Sequence, residues 1–207
     1  RGLIPLNIRW SCLWTINTSR DEELLALAKK AGCFHVNIGI ENVCPESINA
    51  IAKVQNPVQE YEWLLKRLQD HGLFYSLNFM FGLDGDTKAL FDETLAFLER
   101  IKAPMAFFNS VTPRRGTPLW DQLYKEGRIH KPEAEKYLGM VCNFIPKNMT
   151  PEECEEGVWR CFQQFYSFRS ICRRLLWPPN GYLWQGIPSN LYFHFVVNRR
   201  IDPVDFY

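Results

Sequence analysis

Short apolar runs alternate with helix-patterned stretches along this chain, and that alternation limits the fold more than any other feature of the sequence. Leu6 to Trp10, or slightly beyond, reads as a first strand. Ser19-Arg20-Asp21-Glu22 has the form of a capping box, in which the Ser oxygen and Glu carboxylate satisfy orphan amides at a helix start. Leu24, Leu25, Leu27, Ala28 and Ala31 then recur at helical spacing, and Gly32 provides a left-handed stop. Phe34 to Ile40 follows as a buried strand. A short helix from near Pro45 to near Lys53 comes next. Pro57 opens another helix with Val58, Tyr61, Leu64, Leu65 and Leu68 inward and Gly72 as its end. Leu73 to Phe81 is the next strand. Asp86 or Thr87 is expected to cap a third long helix, striped by Leu90, Phe91, Thr94, Leu95, Leu98 and Ile101, before a strand over Met105 to Val111. Strand and helix repeated with short turns demand a parallel sheet with right-handed crossovers. Four units are too few to close an eight-stranded barrel, which leaves a truncated barrel or an open sheet.

The pattern changes after about Gly127. Thr150-Pro151-Glu152-Glu153 forms a second capping box and opens a helix with Cys154, Val158, Cys161, Phe162, Phe165, Phe168, Cys172 and Leu175 on its apolar face. Trp177-Pro178-Pro179 ends it. The aromatic-rich stretch from Gly181 to Tyr207 carries no pattern that chooses between strand and helix.

Bulk properties narrow the function classes. The 207 residues suit one domain, or one with a small appendage, and 46% hydrophobic with 23% charged residues reads as globular. A formal charge of +1 supplies no global field for nucleic acid. Arg114-Arg115, Arg173-Arg174 and Arg199-Arg200 read as solvated surface pairs. No apolar run approaches the ~18 residues of a membrane span. Seven scattered cysteines, none at the close spacing of zinc or many iron–sulfur sites, suit reduced core thiols and a cytoplasmic location. Cys154 and Cys161 read as one buried helix face. Arg1-Gly2-Leu3 has neither an initiator Met nor a signal-peptide pattern, so the expectation is a piece of a longer protein.

Polar groups collect where two apolar runs stop, in Gly39-Ile40-Glu41-Asn42 and in Gly82-Leu83-Asp84-Gly85-Asp86, at the carboxyl ends of parallel strands where α/β folds gather ligands. Glu41 is a candidate acceptor for a sugar hydroxyl or an ammonium, with Gly39 allowing close approach. Its structural alternative is a helix-start acid or a surface ion pair. Asp84 and Asp86 would repel phosphate, and no Lys-Ser/Thr follows, so a P-loop is rejected in favour of turn and cap roles. Asn78 either faces a ligand or bonds a neighbouring loop. His35, His71, His130 and His194 lack paired-ligand spacing and read as structural. Neither a nucleophile elbow nor a nucleophile–base pair stands out.

The ordered set Arg9-Trp10, Asp21-Glu22-Glu23-Leu24-Leu25, Ala31-Gly32-Cys33 and Ile38-Gly39-Ile40-Glu41 resembles the middle of a radical S-adenosylmethionine (SAM) enzyme. Phe79-Met80-Phe81-Gly82-Leu83-Asp84-Gly85-Asp86-Thr87, Thr112-Pro113 and Gly116-Thr117-Pro118-Leu119 continue the resemblance. Glu126-Gly127-Arg128-Ile129 and Met149-Thr150-Pro151-Glu152-Glu153 resemble the subgroup whose full-length members carry an N-terminal cobalamin-binding domain. The similarity runs from about residue 5 to 175. It implies an α/β fold: a partial (β/α) barrel, the third to sixth strands of a truncated TIM-like sheet, over residues 1–127. A mainly helical, aromatic-rich C-terminal extension follows over 128–207.

The same resemblance implies SAM, a 4Fe-4S cluster that reductively cleaves it to a 5′-deoxyadenosyl radical, and cobalamin. Glu41 matches the position that contacts the ribose or methionine part of SAM, with Asn42 beside it, and Asn78 is counted as a further cofactor-binding candidate from its place on the strand. Phe81 and Gly82 match the strand end near adenine, and Thr112 and Pro113 the next. Arg9 matches a position for the SAM carboxylate. The cluster's closely spaced cysteine triplet and the cobalamin domain have no counterpart here. Both groups are therefore expected from a missing N-terminal part of the same protein, and this chain alone is expected to be inactive. The leading expectation is the C-terminal part of a cobalamin-dependent methyltransferase that contributes SAM-pocket and substrate-wall residues toward a small, apolar substrate. The alternatives are a non-catalytic binding module or partner fragment on the same scaffold, and an ordinary barrel enzyme using Glu41 as base.

Overall fold

The structure, a computed structural model, describes residues 1–50, 57–132, 139–177 and 181–203. Four parallel strands, β1 (Trp10–Trp14), β2 (Cys33–Glu41), β3 (Tyr75–Phe81) and β4 (Met105–Ser110), lie side by side in sequence order. Between them run α1 (Glu22–Lys30), α2 (Pro45–Ala50), α3 (Tyr61–Asp70) and α4 (Ala89–Arg100). After the sheet come α5 (Pro118–Lys125), α6 (Pro151–Phe165), α7 (Phe168–Leu175) and α8 (Leu183–Asn198). This is the expected strand–helix parallel sheet followed by helices. None of the described helices is long and apolar enough to cross a membrane.

The two faces of the sheet differ in chemistry because side chains alternate along each strand. Val36, Ile38 and Ile40 of β2, Leu77, Phe79 and Phe81 of β3, and Ala106 and Phe108 of β4 are buried on the helix-covered face. Leu25 and Ala28 of α1, Leu64, Leu65 and Leu68 of α3, and Phe91 and Leu98 of α4 complete that core. Phe81 meets Phe91 with ring centroids 4.6 Å apart, and Phe108 meets Phe162 edge-on at 5.1 Å. Such pairs each add about 0.5–1.5 kcal/mol beyond their burial. The other face carries His35, Asn37, Gly39, Ser76, Asn78, Met80 and Asn109, all of them less covered except Ser76. Register places Ser76 beside Asn37, Asn78 beside Gly39, and Asn109 beside Met80.

Several local expectations are corrected. The first strand is Trp10–Trp14, and a 3-10 turn occupies Ile4–Leu6. Asp21, not Ser19, caps α1, its carboxylate accepting the Leu24 amide at 2.9 Å, while Ser19 is buried in a preceding 3-10 turn. Val58–Glu60 forms a further 3-10 turn ahead of α3. Lys88 occupies the N-cap of α4, which frees Asp86 for a different task. The Thr150–Glu153 capping box forms as expected. The long helix it opens is broken, however: Tyr166 ends α6, and Ser167 caps α7 by accepting the Ser170 amide. The break leaves Phe168 and Cys172 exposed rather than on the apolar face. Cys154 and Cys161 are fully buried, as the helical spacing predicts. The 181–203 stretch is mainly helical, with Pro188 inside α8. The expected end of the α2 helix near Lys53 and the Pro178-Pro179 stop lie outside the described residues.

The break in the helix serves the open edge of β4. The Tyr166 hydroxyl donates to the Ala106 carbonyl at 2.9 Å and accepts the Ala106 amide at 3.4 Å, so one side chain satisfies both groups on an unpaired strand edge. Farther along, the Ser110 amide donates to the Gly139 carbonyl at 2.6 Å.

Arg174 overturns the reading of Arg173-Arg174 as a solvated pair. It is completely buried, and its guanidinium donates to the Ala103 carbonyl at 2.6 Å, the Phe165 carbonyl at 2.8 Å and Asn190 Oδ1 at 2.8 Å. It also lies 3.5 Å from the Phe165 ring centroid. Burial lowers its pKa to about 10, so it stays charged at neutral pH. Asn190 in turn donates to the Pro104 carbonyl at 2.9 Å, and the two residues lock α7 and α8 to the turn before β4. Arg174→Met is expected to cost about 3 kcal/mol, because three buried acceptors lose a charged donor. Arg173→Met, where the side chain pairs with Glu99 at the surface, is expected to cost less than about 0.5 kcal/mol. Urea unfolding followed by circular dichroism measures both.

Candidate functional site

At the carboxyl end of β2 the register with β3 shifts between Gly39 and Glu41. Such a bulge re-aims a side chain. Glu41 adopts a φ of 70°, a left-handed backbone that few residues other than glycine occupy. Its carboxylate turns back along the strand, so that a Cβ on Gly39 would stand 2.5 Å from Glu41 Oε1. Gly39 thus makes room for the carboxylate of Glu41 itself. Asn78 is the register partner of Gly39, and this brings the Glu41 carboxylate and the Asn78 carboxamide to neighbouring positions on the polar face.

Asn78 belongs to a chain of hydrogen bonds along that face. It donates to Asn37 Oδ1, which also accepts from Ser76 Oγ at 3.0 Å; Ser76 Oγ in turn lies 2.9 Å from His35 Nε2. Burial lowers the His35 pKa, so its ring is neutral at physiological pH. The sequence reading missed Asn37 and Ser76 and treated His35 as merely structural. The signal was available in the strict alternation of Phe34-His35-Val36-Asn37-Ile38-Gly39-Ile40, which places every polar residue on one face.

Asp86, read from the sequence as a turn and cap residue, serves the turn but not the cap of α4, and it reaches further than expected. It is 1% exposed, and its two oxygens take four donors. Oδ1 accepts from Asn42 Nδ2 at 2.9 Å and Ser47 Oγ at 2.5 Å, and Oδ2 accepts the Gly82 and Leu83 amides at 2.9 and 3.0 Å. Burial pushes its carboxyl above the usual range, against the pull of these donors. The loop after β2 and the loop after β3 are tied together through this one group. Nearby, burial also pushes Asp84 up, but the Arg128 and Lys147 cations at 2.8 and 2.6 Å outweigh it and hold the carboxyl below its ordinary value.

The remaining expected positions separate into two sets. Asn42 is buried with its amide spent on Asp86 and its oxygen accepting the Cys44 amide at 2.7 Å, so it holds the rim together. The Phe81 ring points into the helix-covered core. Gly82 has a φ of 98°, and the space a Cβ would take there is filled by Phe144, 3.1 Å away. Only the backbone of this segment reaches the rim. Thr112 and Pro113 follow β4 at the same end, where Thr112 Oγ1 accepts the Gly139 amide at 3.3 Å and the Pro113 carbonyl accepts from Asn143 Nδ2 at 3.3 Å. Among the described residues, Asn143 Oδ1 is buried there without a hydrogen-bond partner. Arg9 is not with them. It precedes β1 at the amino end of the sheet, stacked over Phe34 at 5.0 Å.

Among the described residues, no group of three or more His, Cys, Asp or Glu side chains is placed to hold a metal ion. The arrangement instead offers a carboxylate, carboxamides and a hydroxyl across three strand ends, which suits a small polar ligand. The rim depends on Asp86. Asp86→Asn turns an NH2 group toward two donors, and a loss of about 2 kcal/mol in unfolding free energy is expected. Thermal denaturation of the two proteins measures it.

Residues 6–98 match the Radical SAM superfamily, and residues 117–177 match a domain of unknown function, DUF4070. The chain is 26% identical over 198 residues to bacteriochlorophyllide d C-12(1)-methyltransferase of Chlorobaculum tepidum, covering 96% of this chain and 41% of that protein. It is 27% identical over 187 residues to the anaerobic magnesium-protoporphyrin IX monomethyl ester cyclase of Cereibacter sphaeroides, covering 90% and 29%. It thus spans less than half the length of these relatives. The radical S-adenosylmethionine methyltransferase TsrM from Kitasatospora setae, solved with tryptophan and the SAM analog aza-SAM bound, shares the fold. Its TM-score is 0.55 at 16% identity, over 99% of this chain and 40% of that one. The superfamily match over residues 6–98 runs through the segments that carry Glu41, Asn78 and Gly82, so this part of the chain is similar to the radical SAM superfamily.

Proposed function

We propose that this chain is the C-terminal part of a cobalamin-dependent radical SAM methyltransferase and supplies one wall of its SAM pocket. The observation that carries the proposal is the Glu41 carboxylate, folded over Gly39 beside Asn78 by a bulge with a left-handed backbone. A non-glycine residue held in that conformation costs of order 1–3 kcal/mol and persists where the surroundings over-determine it. The match of residues 6–98 to the radical SAM superfamily, relatives named as methyltransferases and a neighbour solved with cobalamin and a [4Fe-4S] cluster bound all support the reading.

The residues present fit SAM. Glu41 accepts hydrogen bonds from ribose hydroxyls or the methionine ammonium, and Asn78 orients the same part of the molecule from the adjacent strand. The backbone after Phe81, with Thr112 and Pro113, forms the adenine side, where the orphaned Asn143 Oδ1 marks an acceptor in need of a donor. Asn42 and Asp86 act through their neighbours and hold the loops in place. When bound, SAM supplies a methyl group or, on one-electron reduction by the cluster, a deoxyadenosyl radical. Cluster and cobalamin belong to the portion of the whole protein beyond this chain, which spans 41% of the Chlorobaculum relative. The polar face of the sheet serves as substrate wall for a small molecule, in a cytoplasmic enzyme.

The whole gene product, reconstituted anaerobically with iron, sulfide and cobalamin and reduced with dithionite, is expected to convert SAM to 5′-deoxyadenosine or to transfer its methyl group. Glu41→Gln is expected to lower kcat/KM for SAM by about tenfold or more while the circular dichroism spectrum stays unchanged. Absence of any SAM-derived product from the reconstituted wild-type protein would sink the proposal.

A further inference from the structure

A cavity of about 670 Å³ lies at the opposite end of the sheet, between the amino ends of the strands and α8. Its size falls within the roughly 300–1,000 Å³ of small-molecule sites. Each strand contributes where it begins: Arg9 before β1, His35 in β2, Phe74 before β3 and Met105 in β4, with Ser189 and Tyr192 of α8 closing the side. From His35 to Glu41 is about 20 Å along β2 at ~3.3 Å per residue, so this cavity and the carboxyl rim are separate places.

The lining has an uneven chemistry. Phe74, Met105 and Phe193 are apolar and buried. His35 engages Ser76 through Nε2 and is held neutral by its burial, so the ring brings no charge. Charge enters at one point, the Arg9 guanidinium. Among the described residues it has no carboxylate within ion-pair distance and rests on the Phe34 ring. A guanidinium braced by an aromatic face is pre-organised for the planar, two-pronged recognition of a carboxylate.

We infer that this cavity is a second ligand site, which takes a flat apolar molecule bearing one carboxylate, its rings against Phe74 and Met105 and its anion on Arg9. The inference uses none of the residues proposed above to contact SAM and does not rest on that assignment: Arg9, which the resemblance matched to the SAM carboxylate, lies at the opposite end of the sheet.

Isothermal titration of the 207-residue chain with naphthalene-2-carboxylate, and with neutral naphthalene-2-carboxamide, tests it. Saturable one-to-one binding is expected, with the carboxamide at least about threefold weaker, the range of a partly exposed ion pair. Arg9→Ala is expected to remove that difference by weakening only the carboxylate. Ser189→Trp, which fills the cavity from its α8 side, is expected to abolish binding of both compounds without altering the melting temperature. Excess SAM is expected to leave the affinity unchanged. Several outcomes overturn the inference: no saturable binding, equal affinities for the two compounds, affinities preserved in both variants, or competition by SAM. A concentration-dependent dimer that Ser189→Trp abolishes would give the cavity to a second copy of the chain and overturn it too.

Discussion

Asp86 is the constraint on which the carboxyl rim depends. A buried carboxylate is costly unless its lone pairs are filled, and here Asn42 of the loop after β2, Ser47 of α2 and two amides of the loop after β3 supply the donors. The two loops therefore cannot move apart without exposing a desolvated charge. That coupling fixes the position of Asn42, the residue following Glu41, and so helps to hold Glu41 in its left-handed backbone. The cost of an unusual conformation at one residue is offset by hydrogen bonds made by Asp86, five residues beyond the end of a different strand. Site geometry and loop stability are one problem in this fold.

The sheet itself divides labour between its faces. The helix-covered face is a continuous apolar and aromatic core, while the other carries a hydrogen-bonded row from His35 through Ser76 and Asn37 to Asn78. A row of this kind rigidifies a half-buried surface, because each polar group is satisfied by its neighbour. The carboxyl rim and the amino-end cavity lie at the two ends of that row. The helices after the sheet finish the structure by closing what β4 leaves open. Tyr166 bonds the strand edge, Arg174 and Asn190 fasten α7 and α8, and Phe193 packs edge-on against Phe107 at 5.4 Å.

Much of this was legible in the residues. The strand–helix order, the burial of the helix stripes and the Thr150 capping box follow from local periodicity and local hydrogen bonding, which act within one or two turns of chain. Glu41 and the Gly82 turn stood out because apolar runs ended there in glycine and acid. Failures came where neighbouring acceptors competed or where a distant partner decided. Ser19 lost the α1 cap to Asp21, a competition between two nearby acceptors that sequence alone does not rank. The Asp86 carboxylate was claimed by Asn42 and Ser47, 44 and 39 residues away, instead of by α4. Arg174 looked like half of a surface pair, since its acceptors lie on three separate segments.

The amino-acid sequence by itself determined the parallel α/β scaffold, the alternation that sorts polar from apolar faces, and the placing of acid and glycine at the strand ends, because these depend on residues close together in the chain. Only the tertiary structure decided that Gly39 yields its space to Glu41, that Gly82 is filled by Phe144, and that Arg9 lies at the far end from both. Those outcomes depend on register, on a bulge and on contacts between segments remote in sequence, and no local pattern carries that information.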